Sequence, residues 1–197
     1  TAAPDPVVRL TKIYTRTGDK GATRLGDMSE TVKHDPRVAA YGDVDETNAV
    51  LGLARSALGD APELDASLAR IQNDLFDLGA DLCVPETDEP RDWQPLRMTA
   101  AQTERLEGEI DALNARLNPL ESFILPAGSE AAARLHHART VCRRAERSTT
   151  ALAASGAAVS PAVLTYLNRL SDLLFVMARI ANLESGGDVL WVPGGER

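Results

Sequence analysis

The stretch SEAAARLHHARTVCRRAERSTTALAA, residues 129–154, decides the fold. Ala131, Leu135, Ala138, Cys142, Ala145, Thr149 and Leu152 recur in steps of four and three, the period of one helix face. Ala and Leu lose little side-chain freedom in a helix, so local preference agrees with the period. The seam is made of small residues, which predicts close approach of another helix. Beside it, Arg139, Arg143, Glu146 and Thr150 recur at four, three and four, and so share a second face about 100° away.

The same period extends outward on both sides. Downstream, Ser160-Pro161 is a favourable helix start. Leu164, Leu167, Leu170, Leu174, Met177 and Ala181 follow, and Gly186-Gly187 stops the run. Upstream, helices are predicted over 37–58 (Tyr41, Val44, Leu51, Ala54, Leu58), 63–83 (Leu64, Leu68, Ile71, Leu75, Leu78, Leu82) and 99–117 (Leu106, Ile110, Leu113, Leu117), with Thr99 as N-cap. Pro85, Pro90 and Pro95 punctuate an acidic loop, and Phe123-Ile124-Leu125-Pro126 is a short apolar connector. Long amphipathic helices with short connections predict an all-α, five-helix bundle. The organisation expected is a loose lead-in over 1–10, one bundle domain over 11–185 that includes an N-terminal loop over 11–36, and a tail over 186–197.

At 197 residues the chain is long enough for one buried core. A net charge of −8 speaks against nucleic acid or an anionic membrane as partner. No apolar run approaches the ~20 residues of a membrane span. The start, Thr1–Pro6, lacks a basic region followed by an apolar core. With Cys83 and Cys142 outside any metal spacing and read as buried thiols, the expectation is a cytoplasmic protein. His34, His136 and His137 have no zinc-like partners, so no metal site is assigned to them.

An anionic ligand of so acidic a chain needs a local concentration of bases, and residues 11–27 supply one. Lys12, Arg16, Lys20 and Arg24 stand among Thr11, Thr15, Thr17, Thr23, Gly18, Gly21 and Gly26. Glycines let backbone N–H groups turn toward an anion, hydroxyls donate to phosphate oxygens, and Lys and Arg neutralise charge. The loop is not of the GxxxxGK[ST] kind. A flexible basic arm would need no regularly placed glycines, so phosphate binding is the better reading. A second polar stripe, Asn168, Asp172, Phe175, Arg179 and Asn182, runs along the fifth helix, and Asp45 with Asn48 makes a shorter strip on the first. Periodicity alone leaves a ligand cleft and a solvated face evenly matched.

Thr11–Gly26, Asp35–Asn48, Phe123–Pro126, Arg143–Arg147 and Asn168–Asp172, in this order, resemble the PduO-type ATP:cob(I)alamin adenosyltransferases. The resemblance implies a homotrimer with active sites between subunits. It implies that Thr15, Arg16, Thr17, Gly18, Thr23, Arg24 and Lys33 hold the ATP polyphosphate with magnesium. Arg143, Arg144, Ala145, Glu146, Arg147 and Asn168 would reach the nucleotide from the neighbouring subunit, Arg143 as the direct phosphate ligand and Glu146 orienting the nucleotide. Asp45 and Arg139 would pair across the interface, Phe123 would lie under the corrin, and Phe175 would form another apolar wall. Residues 23–24 depart from the Ser-Ser of some members, and nothing carries over to the tail. Magnesium would be held mainly by the ATP phosphates. The implied partners are ATP, a reduced corrinoid, a reductase and an adenosylcobalamin-dependent enzyme.

The implied reaction needs no protein nucleophile, because reduced cobalt attacks the ribose C5′, and no general base, because no proton is removed. The absence of a Ser-His-Asp or Cys-His constellation agrees with it. The alternatives are a non-catalytic carrier or sensor of ATP and cobalamin on the same bundle, and a structural bundle whose stripes are surface only. A ferritin-like oxidase is disfavoured because its Glu-x-x-His pairs are missing.

Overall fold

A computed structural model of the chain describes residues 13–195, Glu184 by its backbone only. The lead-in over 1–10, and Thr11 and Lys12 of the loop, lie outside these residues. The elements in order are β1 (Ala22–Arg24), β2 (Glu30–Val32), α1 (Pro36–Arg55), α2 (Pro62–Cys83), α3 (Ala100–Asn114), α4 (Glu130–Ala154) and α5 (Pro161–Asn182), closed by a 3₁₀ turn, Leu183–Ser185. The five helices stand where the periodicity places them. The two strands are a correction to the all-helical reading: Ala22–Arg24 pairs antiparallel with Glu30–Val32. Three-residue strands rich in Thr, Arg and Glu carry no alternation that a sequence pattern detects.

Side-chain caps start α1, α3 and α4, and proline stands in the first turn of α2 and α5. The Asp35 carboxylate accepts from the Arg37 backbone N–H at 2.7 Å ahead of Pro36, which holds its pKa below the usual carboxylate value. Gln102 reaches back to accept from the Thr99 N–H at 2.9 Å, and Ser129 Oγ accepts from the Ala132 N–H at 3.1 Å. These contacts satisfy donors that a helix N-terminus leaves open.

α1 and α4 run antiparallel, since Ser148 donates to Asp43 near one end and Arg134 reaches the Leu53 carbonyl near the other. α4 also packs on α5, α2 on α1, and α3 on α5. Ala131, Ala138, Cys142, Ala145 and Thr149 are all buried inside this one chain. The small-residue seam therefore lets α1 and α5 of the same bundle approach α4, and does not face a second copy.

α5 is the central staple. Leu167, Leu170, Leu173, Leu174 and Met177 have no exposed surface, and each buried side chain of this size stabilises the fold by about 1.5–3 kcal/mol. Burial on more sides than a two-faced helix allows brings a polar knot inside. The Tyr166 hydroxyl donates to Asp74 at 2.9 Å, while Arg105 and Gln102 reach the same carboxylate from α3. Burial first, then the Asp74 charge, push the Tyr166 phenol far up.

Candidate functional site

The N-terminal loop closes into a cavity whose walls include Thr15, Arg16, Thr17, Gly18, Thr23, Arg24 and Lys33. All seven expected phosphate-binding residues thus share one concave surface. The β1–β2 ribbon makes this possible: the Lys33 N–H donates to the Gly21 carbonyl at 2.8 Å, returning Lys33 beside Gly18. A Cβ added at Gly18 would lie 3.2 Å from Lys33 Nζ and 3.1 Å from the Ala22 carbonyl oxygen, so glycine admits that ammonium. Thr15 and Thr17 share a hydroxyl hydrogen bond at 2.8 Å. Arg16 lies at φ 64° between them, a left-handed conformation that costs a non-glycine residue roughly 1–2 kcal/mol and is tolerated at ligand-binding turns. Its guanidinium carbon stands 5.4 Å from the Tyr14 ring centroid.

The pairing of cations marks out the site. Among the described residues ten arginines form ion pairs with carboxylates, Arg144 among them with Asp43 and Glu46. In a chain with 29 acids and 21 bases, pairing is the default fate of a cation. Among the described residues, Arg16, Lys20, Arg24 and Lys33 on the loop, and Arg139, Arg143 and Arg147 on α4, make no such pair. Arg37 also lacks a carboxylate partner, but its guanidinium donates to the Leu82 and Ala158 carbonyls. Charge is thus left uncompensated on two surfaces: the loop and the outer stripe of α4.

On that stripe Arg143 and Arg147 are exposed. Glu146 accepts from Asn168 Nδ2 at 2.8 Å, which joins the α4 and α5 stripes. Ala145 has no exposed surface and packs in the core, so its side chain spaces Arg144 and Glu146 and offers nothing to a nucleotide. The lower part of the α5 stripe is structural as well. Arg179 is 7% exposed and donates to Asp188 at 2.8 Å and to the Asn118 carbonyl at 2.9 Å. Asn182 holds the turn before α4 through the Ser129 N–H and the Ala127 carbonyl. Asp45 and Arg139 do not meet within the chain. Asp45 is exposed on α1, and Arg139 Nε is buried without a partner among the described residues.

A second cavity, of about 800 Å³, is lined by Phe123, Ile124, Arg139, Phe175, Trp191 and neighbours. Phe123 is 77% exposed, so the connector does not bury it as core. The tail forms the other side. The Trp191 N–H donates to the Phe123 carbonyl at 2.8 Å, the Leu125 N–H to Val189 at 2.7 Å, and the Trp191 ring meets Phe123 edge-on at 5.9 Å. Sequence reasoning missed Trp191. The apolar run Val189-Leu190-Trp191-Val192 before Pro193 was the available signal, but one short strand gives no partner.

Behind Phe175 lies a second missed residue. His136 packs edge-on against that ring at 6.1 Å, is 2% exposed, and neither ring nitrogen has a partner among the described residues. Burial first, then the Arg139 charge, lower its pKa below 6.5, with Asp188 opposing. The unfolded chain therefore takes up this proton first as pH falls, so stability is full above about pH 6.5 and declines toward the depressed folded value. His136→Leu should flatten this acid limb. Melting temperatures of both proteins between about pH 8 and pH 5 test it, and parallel curves would remove the imidazole from the explanation.

The fold and these two cavities define a helical-bundle protein with a loop of unpaired cations and a separate aromatic cleft. The sequence profile of the cobalamin adenosyltransferase family matches residues 13–181, and the chain belongs to that family. A corrinoid adenosyltransferase of Mycobacterium tuberculosis is 52% identical over 193 residues, 96% of this chain and 97% of the relative. One of Bacillus subtilis is 46% identical over 182 residues, 90% and 91% of the two chains. A PduO-type ATP:corrinoid adenosyltransferase from Lactobacillus reuteri, solved as a phenylalanine variant with cobalamin and ATP, superposes with a TM-score of 0.85 at 40% identity. It covers 91% of this chain and 96% of its own. Among the described residues no helix is long and apolar enough to cross a membrane.

Proposed function

We propose that this chain transfers the 5′-deoxyadenosyl group of ATP to the cobalt of cob(I)alamin. The observation that carries the reading is the uncompensated charge on the loop and on the α4 stripe, in a protein that pairs most of its other cations. Cobalt attacks C5′ with its electron pair, a Co–C bond forms, the C5′–O bond breaks, and its electrons leave with triphosphate. Thr15, Arg16, Thr17, Gly18, Thr23, Arg24 and Lys33 hold the polyphosphate. Arg143 stabilises the charge gathering on the leaving group, and Glu146, positioned by Asn168, orients the nucleotide. Phe123 and Phe175 wall the corrin. Arg144 and Arg147 flank the nucleotide face, Arg144 with its charge already shared by Asp43 and Glu46.

Magnesium fits as a companion of the nucleotide. Among the described residues no three His, Cys, Asp or Glu side chains converge, whereas magnesium binds through phosphates, waters and few protein ligands. Threonine hydroxyls of the loop suit such a hydrated ion. A reductase must supply the reduced corrinoid, and an adenosylcobalamin-dependent enzyme consumes the product.

The functional unit is a homotrimer. Among the described residues the loop cavity is lined only by residues between 14 and 33, which supports a neighbouring subunit's supplying Arg143 and its stripe, with Arg139 of one chain paired to Asp45 of the next. The assay is conversion of cob(I)alamin to adenosylcobalamin under reductant, with and without ATP, and triphosphate counted against product. ATP and corrinoid binding without triphosphate would make the protein a carrier. Sedimentation should give a trimer. Asp45→Asn should weaken corrinoid handling more than ATP binding, and charge reversal at both Asp45 and Arg139 should partly restore it. A fully active monomer would refute the shared site.

A further inference from the structure

α2 ends without a basic residue in its last turn, yet its last three carbonyls, of Asp81, Leu82 and Cys83, are all occupied. Arg97 Nη1 donates to the carbonyls of Asp81 and Val84, each at 2.8 Å. Arg37 Nη1 reaches Leu82 at 2.8 Å, and Arg91 Nη2 reaches Pro85 at 2.8 Å. The remaining carbonyl, that of Cys83, accepts from the Gly26 N–H at 2.9 Å. Gly26 lies in the β1–β2 turn of the nucleotide loop, so the helix end and the loop are joined by a main-chain bond. The approach is close: a Cβ on Gly26 would stand 2.7 Å from Val84 Cγ2. The next residue repeats the contact. The Asp27 carboxylate accepts from the Ser29 N–H at 3.0 Å and faces Arg91 Nη2 at 3.5 Å, so Arg91 ties the turn to the α2–α3 loop.

From these contacts we infer that the C-terminal end of α2 is the seat of the nucleotide loop, with Gly26 and Arg91 as positioning residues for ATP. A helix C-terminus carries partial negative charge, which would repel a polyphosphate bound nearby. Arg37, with no carboxylate partner among the described residues, sets its charge against that end, while Arg97 also pairs with the Asp81 carboxylate at 2.7 Å and Arg91 with Asp27; the three leave one carbonyl for Gly26. Neither Gly26 nor Arg91 lines the loop cavity, so each acts through the backbone that carries Thr23 and Arg24. The inference rests on the loop's role as the ATP site.

The test reads equilibrium binding of magnesium–ATP by calorimetry, which requires no turnover and so stands apart from the adenosylation assay. Gly26→Ala must push the turn off Val84. A displacement of about 1 Å in a positioning element can cost on the order of a hundredfold in rate, and the same shift of the donors should lower ATP affinity at least about tenfold with corrinoid affinity unchanged. Val84→Ala added to Gly26→Ala removes the clashing methyls and should bring ATP affinity back to within about threefold of the parent. A merely structural glycine would lower the melting temperature without this size-matched rescue. Arg91→Met and Asp27→Asn form an independent cycle on part-exposed side chains. Each should weaken ATP, and the double variant should be no weaker than the worse single, because one bridge is lost in all three. Parental ATP affinity in folded Gly26→Ala, or fully additive losses in the Arg91 and Asp27 cycle, would overturn the proposal. Should Gly26→Ala not fold, the cycle alone decides.

Discussion

Arg143→Ala is expected to abolish adenosyl transfer and leave the bundle folded. Arg143 is exposed on the outer face of α4 and makes no ion pair among the described residues, so no salt bridge within the protomer is broken by its loss. Alanine is the best helix former, so the substitution costs the helix nothing. The loss falls instead on the reaction. As the C5′–O bond breaks, negative charge accumulates on the departing triphosphate, and a prepositioned donor to such charge contributes about a hundredfold to a thousandfold in rate. Lysine would keep the charge and lose the planar fork, so Arg143→Lys should retain only part of the activity. Triphosphate release under single-turnover conditions measures the effect, with helical circular dichroism as the control for folding. Near-parental turnover in folded Arg143→Ala would remove the residue from the site and leave the uncompensated α4 charge to a different ligand.

How much of this was legible in the sequence depends on whether the signal is local. The α4 stripe was readable because four residues at steps of four and three repeat one physical relation, and the Glu146–Asn168 contact then follows from two helices packing side by side. The glycines, hydroxyls and bases of residues 11–27 point to an anion by their local clustering, whereas the seven named residues, Lys33 among them, rest on the family resemblance. Pairing was not readable. The sequence places Arg143 and Arg144 side by side with the same chemistry, yet Arg144 points across to Asp43 and Glu46 on α1 while Arg143 is left free of carboxylates. Likewise Arg179 and Asn182 continue the α5 stripe in period, but the bundle buries that end, where they satisfy carbonyls and the Asp188 carboxylate instead of facing a cleft. The alanine seam of α4 marks a place of close approach, but periodicity cannot say whether the approaching helix belongs to the same chain. The partnership of Phe123 with Trp191 spans 68 residues and is made by main-chain bonds, which no side-chain pattern encodes.

Phe123→Ala separates the wall of the corrin site from the core, and it should cut adenosylation severely when cob(II)alamin must be reduced on the protein. A buried phenylalanine replaced by alanine costs about 3–5 kcal/mol through lost contacts and a cavity. Phe123 is 77% exposed, so that penalty does not apply, and the strand contacts with Val189 and Trp191 are made by the backbone and survive the substitution. The variant should therefore melt close to the parent. Under the proposed function, what it loses is an apolar ring that would lie on the lower face of the corrin and exclude the axial base and water. With that face open, a ligand returns to cobalt, electron density along the axis rises, and reduction to the nucleophilic cob(I) state becomes harder. ATP affinity should change little, because the loop cavity shares no residue with the Phe123 cavity. Supplying chemically reduced cob(I)alamin should restore much of the rate, since the step that depends on the ring has then been bypassed. The deciding measurement is the spectrum of cob(II)alamin bound with ATP: the parent should show the four-coordinate form and Phe123→Ala should not. A folded Phe123→Ala protein that keeps the four-coordinate spectrum would assign the exclusion of the lower ligand to Phe175 and Trp191 instead.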